Sequence, residues 1–446
     1  MKLTRIITLA LAVGALALTG CSSDDPVMPD NPVIKPGDVR TDVNTMMIHE
    51  TNPRMYGTDG ARLTALTSQL DEIARMGCNV LWVMPVNDPG QDRAIGSPYC
   101  IRDFKAVDPH LGSMADFKAL VDAAHARGMR VILDWIANHT AWDCAWISNT
   151  SWYETDAAGN IISPSGWTDV AELNYDNSEM RAAMIDAMLY WIREAGIDGF
   201  RCDHVDGVPH DFWAEAITAV RAALPGALML AESSDKAVFD DGFDMMYGWA
   251  YSSNLQKLYA GKLNAAKFVA ESINELTGVP EGKLVMRYAA NHDIVAENTV
   301  AQLYGNAAAI GGAYALTVML DEGVPMFYTS QMIDYTGTKS FFNYGAETFD
   351  KSKTDALAHI ASAYAATVKA RAGKLKVYQT GDAVTLSRSH DGSHMLVIVN
   401  PTGKDITVKT PIEMAGLSLT DSDNGATVTV PSTITLGAYE YLIYYN

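Results

Sequence analysis

Short, continuously apolar runs alternate along this chain with stretches whose apolar residues recur every three or four positions. Residues 79–85, 130–135, 199–203, 227–232, 243–249, 284–293 and 324–331 read as strands, and 46–49 supplies a first. Runs apolar at successive positions are buried on both faces, which a parallel sheet flanked by helices requires. Between them, residues 116–127 place Phe117, Leu120, Val121 and Ala124 on one helical face and stop at Gly128. Residues 180–195 repeat the pattern and stop at Gly196. Alternation alone does not separate a closed barrel from an open sheet. Eight strand–helix units with polar residues at strand C-terminal ends predict an α/β fold of the (β/α)8 TIM-barrel type.

Two segments depart from that rhythm. After the third strand comes a short inserted domain at about 139–176, rich in Trp, Gly, Asn and Ser. Beyond residue 374 the period changes to two, with β-branched runs at 383–389, 395–399, 427–430 and 439–444. This tail predicts a C-terminal antiparallel β-sandwich over 374–446. The barrel is then expected over 44–373, and no repeat at solenoid periods is evident.

Composition adds limits. A chain of 446 residues, 48% hydrophobic and 19% charged, can bury a large core and is neither fibrous nor disordered. Its 53 acidic against 33 basic residues give no basic stripe, so nucleic acid is not an expected partner. A neutral substrate is compatible with that charge. Lys2 and Arg5 precede an apolar stretch from Ile6 to Leu18, so residues 1–20 read as a signal peptide. The sequence Leu18-Thr19-Gly20-Cys21 resembles the lipobox of bacterial lipoproteins, implying cleavage before Cys21 and lipidation of its thiol. Residues 21–43 then form a polar tether, rich in Asp and Pro from Ser22 to Pro36. The expected location is the bacterial cell envelope, membrane-bound through the N-terminal lipid anchor; acidic residues after Cys21 point to the outer membrane and its outer surface. Cys78, Cys100, Cys144 and Cys202 form no CxxC pair and no disulfide scaffold.

Polar residues cluster where the strands end. The third delivers Asp134 and Asn138-His139, the fourth Arg201 and Asp203, the fifth Glu232, the seventh Asn291-His292-Asp293. In a barrel these ends open on one face. Three carboxylates converging there suit glycoside hydrolysis, where one stays protonated as acid and another is ionised. Arg201 and Asp203, two apart on a strand, point the same way, so the guanidinium is placed to keep Asp203 ionised. Glu232 has no basic neighbour in sequence and is the better acid. A lone carboxylate at a strand end is commonly a cap or ion-pair partner; the joint pattern argues for chemistry.

These segments resemble the α-amylase family, glycoside hydrolase family 13, in order, spacing and residue type. Asp134-Trp-Ile-Ala-Asn-His139 is similar to its first signature, Gly199-Phe-Arg-Cys-Asp203 to its second, Glu232 to its third and Asn291-His292-Asp293 to its fourth. Ser97-Pro-Tyr99 and Leu173-Asn174 fit further family motifs, and the likeness runs from about residue 44 to the C-terminus. The resemblance implies Asp203 as nucleophile, Glu232 as acid/base and Asp293 as the third carboxylate. It implies sugar contacts from His139 and His292, orientation of Asp203 by Arg201, and Tyr99 stacked beneath the sugar at the cleavage point.

Departures qualify the resemblance. Asp206-Gly207 replaces a common Lys-His pair, Glu172 stands where Asp is usual, and Ser330-Gln331-Met332 replaces a common Gly-Gln-Glu. A structural Ca2+ bound by Asn138 and Glu172 stays open, since two oxygen donors are too few to demand it; no organic cofactor is expected. In the insertion, Trp142, Trp146, Trp152, Tyr153 and Trp167 are candidates either for sugar subsites or for buried anchors. The leading expectation is a retaining hydrolase of α-1,4-glucosidic bonds in starch-like glucans or maltooligosaccharides. The alternatives are an α-glucan transglycosylase, an α-1,6 debranching enzyme, or a starch-binding lipoprotein without turnover.

Overall fold

The computed structural model describes residues 45–320, 323–328, 340–345 and 351–446. Cys21, the signal peptide, the tether and Ser330-Gln331-Met332 lie outside the described residues. Eight parallel strands close into one barrel: β1 (Ile48–Thr51), β2 (Val80–Val83), β3 (Arg130–Ile136), β4 (Gly199–Asp203), β5 (Leu228–Ala231), β6 (Met245–Tyr247), β7 (Leu284–Tyr288) and β8 (Val324–Tyr328). Each pairs with its sequence neighbours, and β8 pairs with β1 to complete the ring. The α/β barrel read from the sequence is the observed fold.

The period of two within each strand separates two cores. Ile48, Val80, Trp82, Ile132, Leu230, Tyr247, Met286 and Met326 fill the barrel interior. Their neighbours Leu81, Val83, Val131, Leu133, Phe200, Met229 and Val285 face outward into the helical layer. Burial of large side chains on both faces, each worth about 1.5–3 kcal/mol, explains the uninterrupted apolar runs.

Helix ends follow local chemistry. The helix Met114–His125 begins two residues before the position read from periodicity, because Ser113 and Asp116 form a capping box. Each accepts the other's backbone N–H, which satisfies donors the first turn leaves open. The helix Ser178–Ala195 is capped by Asn177 and ends at Gly196, whose φ of 70° is left-handed.

The insertion contributes two short antiparallel strands, His139–Ala141 and Val170–Glu172, joined by 3-10 turns. In the C-terminal region a six-stranded sheet includes Ala383–His390, Ser393–Val399 and Tyr441–Tyr445. Val397 and Val399 face the barrel's helical core, whereas Leu396 and Ile398 pack with Val408, Ile434 and Leu436 of a second, two-stranded sheet. The expected antiparallel sandwich is therefore present. Cys78, Cys100, Cys144 and Cys202 are buried free thiols. Among the described residues no helix is long and apolar enough to cross a membrane.

Gly199 opens β4 where no other residue fits. A Cβ there would lie 2.0 Å from the Leu228 carbonyl oxygen and 2.7 Å from the Leu228 nitrogen, both on the neighbouring strand. Gly199→Ala should therefore lower stability by about 3 kcal/mol, the upper range for a forced core clash, as read from urea unfolding; an unchanged midpoint would show that the strands separate at no penalty.

Candidate active site

The C-terminal ends of the strands surround a cleft of about 510 Å³, lined by Tyr99, His139, Asp203, Glu232, His292 and Asp293 among others. Closure of the sheet makes this convergence: residues more than 190 positions apart in sequence meet because their strands end on the same rim.

At its floor stands Arg201, with no exposed surface. Its Nη1 donates to Asp134 Oδ1 at 2.8 Å and Asp203 Oδ1 at 2.7 Å, and its Nε donates to the Tyr247 hydroxyl at 3.0 Å. Its Nη2 lies 3.0 Å from Glu232 Oε1. The inward pair expected on β4 is thus present. Glu232 has no basic neighbour in sequence, but Arg201 reaches it from the adjacent strand, a contact invisible in the linear order.

The site nevertheless biases Glu232 toward its protonated form. Burial disfavours its charge most, Arg201 opposes this, and the nearby Asp203 and Asp293 reinforce it, with the net result a pKa raised to about 8. One Glu232 oxygen also accepts the His204 backbone N–H at 2.7 Å. His204 adopts φ 44°, ψ 50°, a left-handed backbone uncommon for a residue other than glycine. This turn aims the amide after the Asp203 strand end at the Glu232 carboxyl.

On the opposite wall a chain of polar groups orders the rings. Asp134 Oδ2 accepts from Trp82 Nε1 at 3.1 Å and from the Tyr99 hydroxyl at 3.2 Å. That hydroxyl has one hydrogen, so it accepts from His292 Nε2, 2.8 Å away. His292 Nδ1 meets the buried carboxyl of Glu50. Burial works against a charged ring, but Asp293 and Glu50 outweigh it and push His292 up to about 9. A doubly protonated imidazole can serve both neighbours as donor. Tyr99 stacks on His292 at 5.6 Å between centroids. Beside Tyr99, His139 Nε2 lies 3.1 Å from the Tyr99 carbonyl oxygen, and burial lowers its pKa.

Glu50, Trp82 and Tyr247 were not read as site residues. Glu50 sits in a short strand whose sequence, Ile-His-Glu-Thr, carries no motif, and only closure of the ring brings it against His292, which follows β7. Of the five insertion aromatics, Trp167 lines the cleft. Trp146 stacks on Phe104 at 4.9 Å and meets Trp152 edge-on at 5.5 Å, and Tyr153 is buried. Trp142 packs under Arg93 at 3.9 Å.

Asn138 and Glu172 lie near the base of the insertion, with Glu172 paired across from His139. Burial and the neighbouring Glu154 raise the Glu172 pKa, an environment that a cation would relieve. Among the described residues no group of three or more His, Cys, Asp or Glu could hold a metal ion, so further ligands there would be backbone carbonyls and water. The departure at Asp206-Gly207 has a steric reason: a Cβ on Gly207 would meet Asn138 Oδ1 at 2.6 Å and the His204 ring at 2.4 Å. Asp206 instead turns to the cleft and accepts the Ser233 hydroxyl at 2.6 Å.

Comparison with known proteins agrees with this geometry. A model of the alpha amylase catalytic domain matches residues 47–159 and 148–416. The chain is 27% identical over 440 residues to an α-amylase of Haloarcula japonica, covering 91% of this chain and 64% of that protein. It is 26% identical over 251 residues to an intracellular maltogenic amylase of Bacillus subtilis, covering 51% of this chain and 41% of that one. The chain thus spans less than two thirds of these relatives. Among solved structures, a noncanonic maltogenic α-amylase of Thermotoga neapolitana superposes with a TM-score of 0.79 at 25% identity, covering 91% of this chain and 99% of that one. An α-amylase of Lactobacillus plantarum gives 0.78 at 26%, covering 91% and 100%. With eight strands closed, three carboxylates on one rim and a family model matched over most of its length, this chain belongs to the α-amylase family.

Proposed function

We propose that the protein is a retaining glycoside hydrolase that cleaves α-1,4-glucosidic bonds in starch-like glucans or maltooligosaccharides. The observation that carries this reading is one buried guanidinium that contacts Asp203 and Glu232 unequally, with Asp134 as its third carboxylate partner. Asp203 receives a full charge-assisted hydrogen bond from Arg201, whereas Glu232, raised to about 8, keeps its proton.

The steps follow from those states. The ionised Asp203 oxygen attacks the anomeric carbon as Glu232 gives its proton to the leaving glycosidic oxygen. A covalent glycosyl ester to Asp203 forms and the leaving sugar departs with the proton. Water then attacks the same carbon, Glu232 takes the water's proton, and Asp203 is released with configuration retained. Asp293 faces the sugar hydroxyls, and His139 together with the protonated His292 holds the ring. Contacts that strengthen as positive charge develops lower the barrier. A structural calcium at Asn138 and Glu172 belongs to the same proposal; it would neutralise the repulsion between Glu172 and Glu154 and takes no part in bond cleavage.

The named relatives also include cyclomaltodextrinases and trehalose synthase/amylases. Transglycosylation and α-1,6 cleavage are the second reading, since they use the same three carboxylates. Products separate the readings: transfer lengthens oligosaccharides, and debranching gives linear chains from pullulan.

Purified full-length protein should release reducing sugar from soluble starch, and Asp203→Asn should lose at least about a thousandfold in kcat/KM, about 4 kcal/mol of transition-state stabilisation. Binding of starch by a folded native protein with no turnover on starch, pullulan or maltooligosaccharides would instead favour a binding role.

The pH profile has a sign. The acid must be protonated, so kcat/KM should fall as pH rises through about 8, and Glu232→Gln should abolish that alkaline limb with most of the rate. A limb centred near pH 5 would place the proton elsewhere.

The lipobox-like sequence at Cys21 supports anchoring in the envelope by an N-terminal lipid, with the outer membrane as the proposed site. Native protein should partition into detergent phase on cloud-point separation and Cys21→Ser into the aqueous phase; identical partitioning would remove the anchor from the proposal.

A further inference from the structure

Residues 340–345 follow β8 and bring two aromatic rings to the cleft. Phe341 meets Tyr99 edge-on at 5.6 Å and His292 at 5.2 Å, and Phe342 packs on Phe341 at 4.7 Å. Both line the cavity. The segment is fastened from below by two arginines on the other side of the barrel seam. The guanidinium carbons of Arg54 and Arg62 each stand 4.7 Å from the centre of the Tyr344 ring. Arg54 Nη1 donates to the Phe342 carbonyl at 3.2 Å and to the Gly96 carbonyl at 2.6 Å. Arg62 Nη1 donates to the Gly345 carbonyl at 2.6 Å, and the Gly345 N–H returns a bond to the Arg54 carbonyl at 2.8 Å. The Tyr344 hydroxyl donates to buried Asp108 at 2.9 Å.

This is more fastening than a surface loop needs. Arg54 and Arg62 are buried although each carries a charge, and they face one another electrostatically. Two like charges are gathered where the Tyr344 ring, several carbonyl oxygens and the buried Asp108 carboxylate, 3.9 Å from Arg54 Nη2, receive them.

Ring topology says which end of the substrate the aromatics meet. The acid, Glu232, follows β5, and Asp206, Ser233 and Trp249 flank it at the ends of β4 to β6. Glu232 protonates the leaving oxygen, so the leaving sugar lies on that side. In the closed eight-strand order, β1 stands opposite β5. Phe341 and Phe342, held between the loops after β8, β1 and β2, therefore face the end of the cleft that holds the retained sugar.

Resting on the hydrolase reading above, we propose that Phe341 and Phe342 form a wall closing the retained-sugar side of the cleft, placed by the Arg54–Tyr344–Arg62 clamp, so that cleavage occurs close to the non-reducing end of the chain. Phe341 sets specificity by contact. Tyr344 is a positioning residue that touches no sugar.

The test uses maltoheptaose labelled at its reducing end and the full-length protein. Native enzyme should leave long labelled products, because it removes short fragments from the other end. Phe341→Ala should move cuts inward and change the ratio of long to short labelled products by roughly threefold to tenfold, the range an aromatic contact carries. Tyr344→Ala should shift the ratio the same way, and Tyr344→Phe, which keeps the ring against both guanidiniums and loses only the bond to Asp108, should shift it less. Phe341→Leu keeps bulk and serves if the alanine variant fails to fold; it should shift the ratio less but in the same direction. Native cut positions in folded Phe341→Ala, or in Phe341→Leu where only that variant folds, would overturn the wall while leaving hydrolysis intact. Native enzyme that cuts mainly in mid-chain would overturn it too. A native protein inert on every α-glucan would bring down the hydrolase reading and this inference together.

Discussion

A single buried guanidinium organises the top of this barrel. Arg201 has no access to water, yet it touches Asp134, Asp203 and Glu232, which come from β3, β4 and the end of β5. Burying a lone cation is prohibitive, so the fold surrounds it with carboxylates, the Tyr247 hydroxyl and the faces of Trp82 and Tyr247. Removing one partner of such a set typically costs about 3–5 kcal/mol because a buried charge is left unmatched. The same cation contacts those carboxylates unequally. Asp203 takes a short aligned bond, and Glu232 receives a charge contact too weak to overcome its burial.

From Asp134 the constraint runs on through Tyr99 and His292 to Glu50. Each link fixes a proton: Tyr99 gives its only hydrogen to Asp134, which leaves its oxygen to accept from His292. Asp293 and Glu50, not the Tyr99 hydroxyl, favour the charged form of the His292 ring. Segments distant in sequence acquire one electrostatic design because a closed sheet brings their ends to one rim. The departures from the family pattern belong to the same rim. Asn138 and His204 leave no room for a side chain at Gly207, and the neighbouring Asp206 accepts the Ser233 hydroxyl at the cleft.

Much of the fold was legible. The eight strands follow from runs apolar at both odd and even positions, and physical burial on both faces explains them. The capping box at Ser113 was readable in principle from its Ser-x-x-Asp spacing, but apolar periodicity alone starts the helix later. The inward alignment of Arg201 with Asp203 needed only strand geometry. Arg201 against Glu232 was not legible, since strand pairing and not sequence distance makes that contact. The insertion aromatics illustrate the same limit: Trp146, Trp152 and Trp167 look equivalent in composition, yet two stack among themselves and Phe104 while Trp167 lines the cleft.

Sequence by itself determined the strand and helix periods, the order of polar strand ends and the residue types gathered there. These are local properties, set by side-chain alternation and by the chemistry each group can perform. Tertiary structure alone decided which carboxylate shares the guanidinium, which group keeps its proton and which aromatics reach the cleft. Those depend on burial and on distances across the ring, and a linear pattern carries neither.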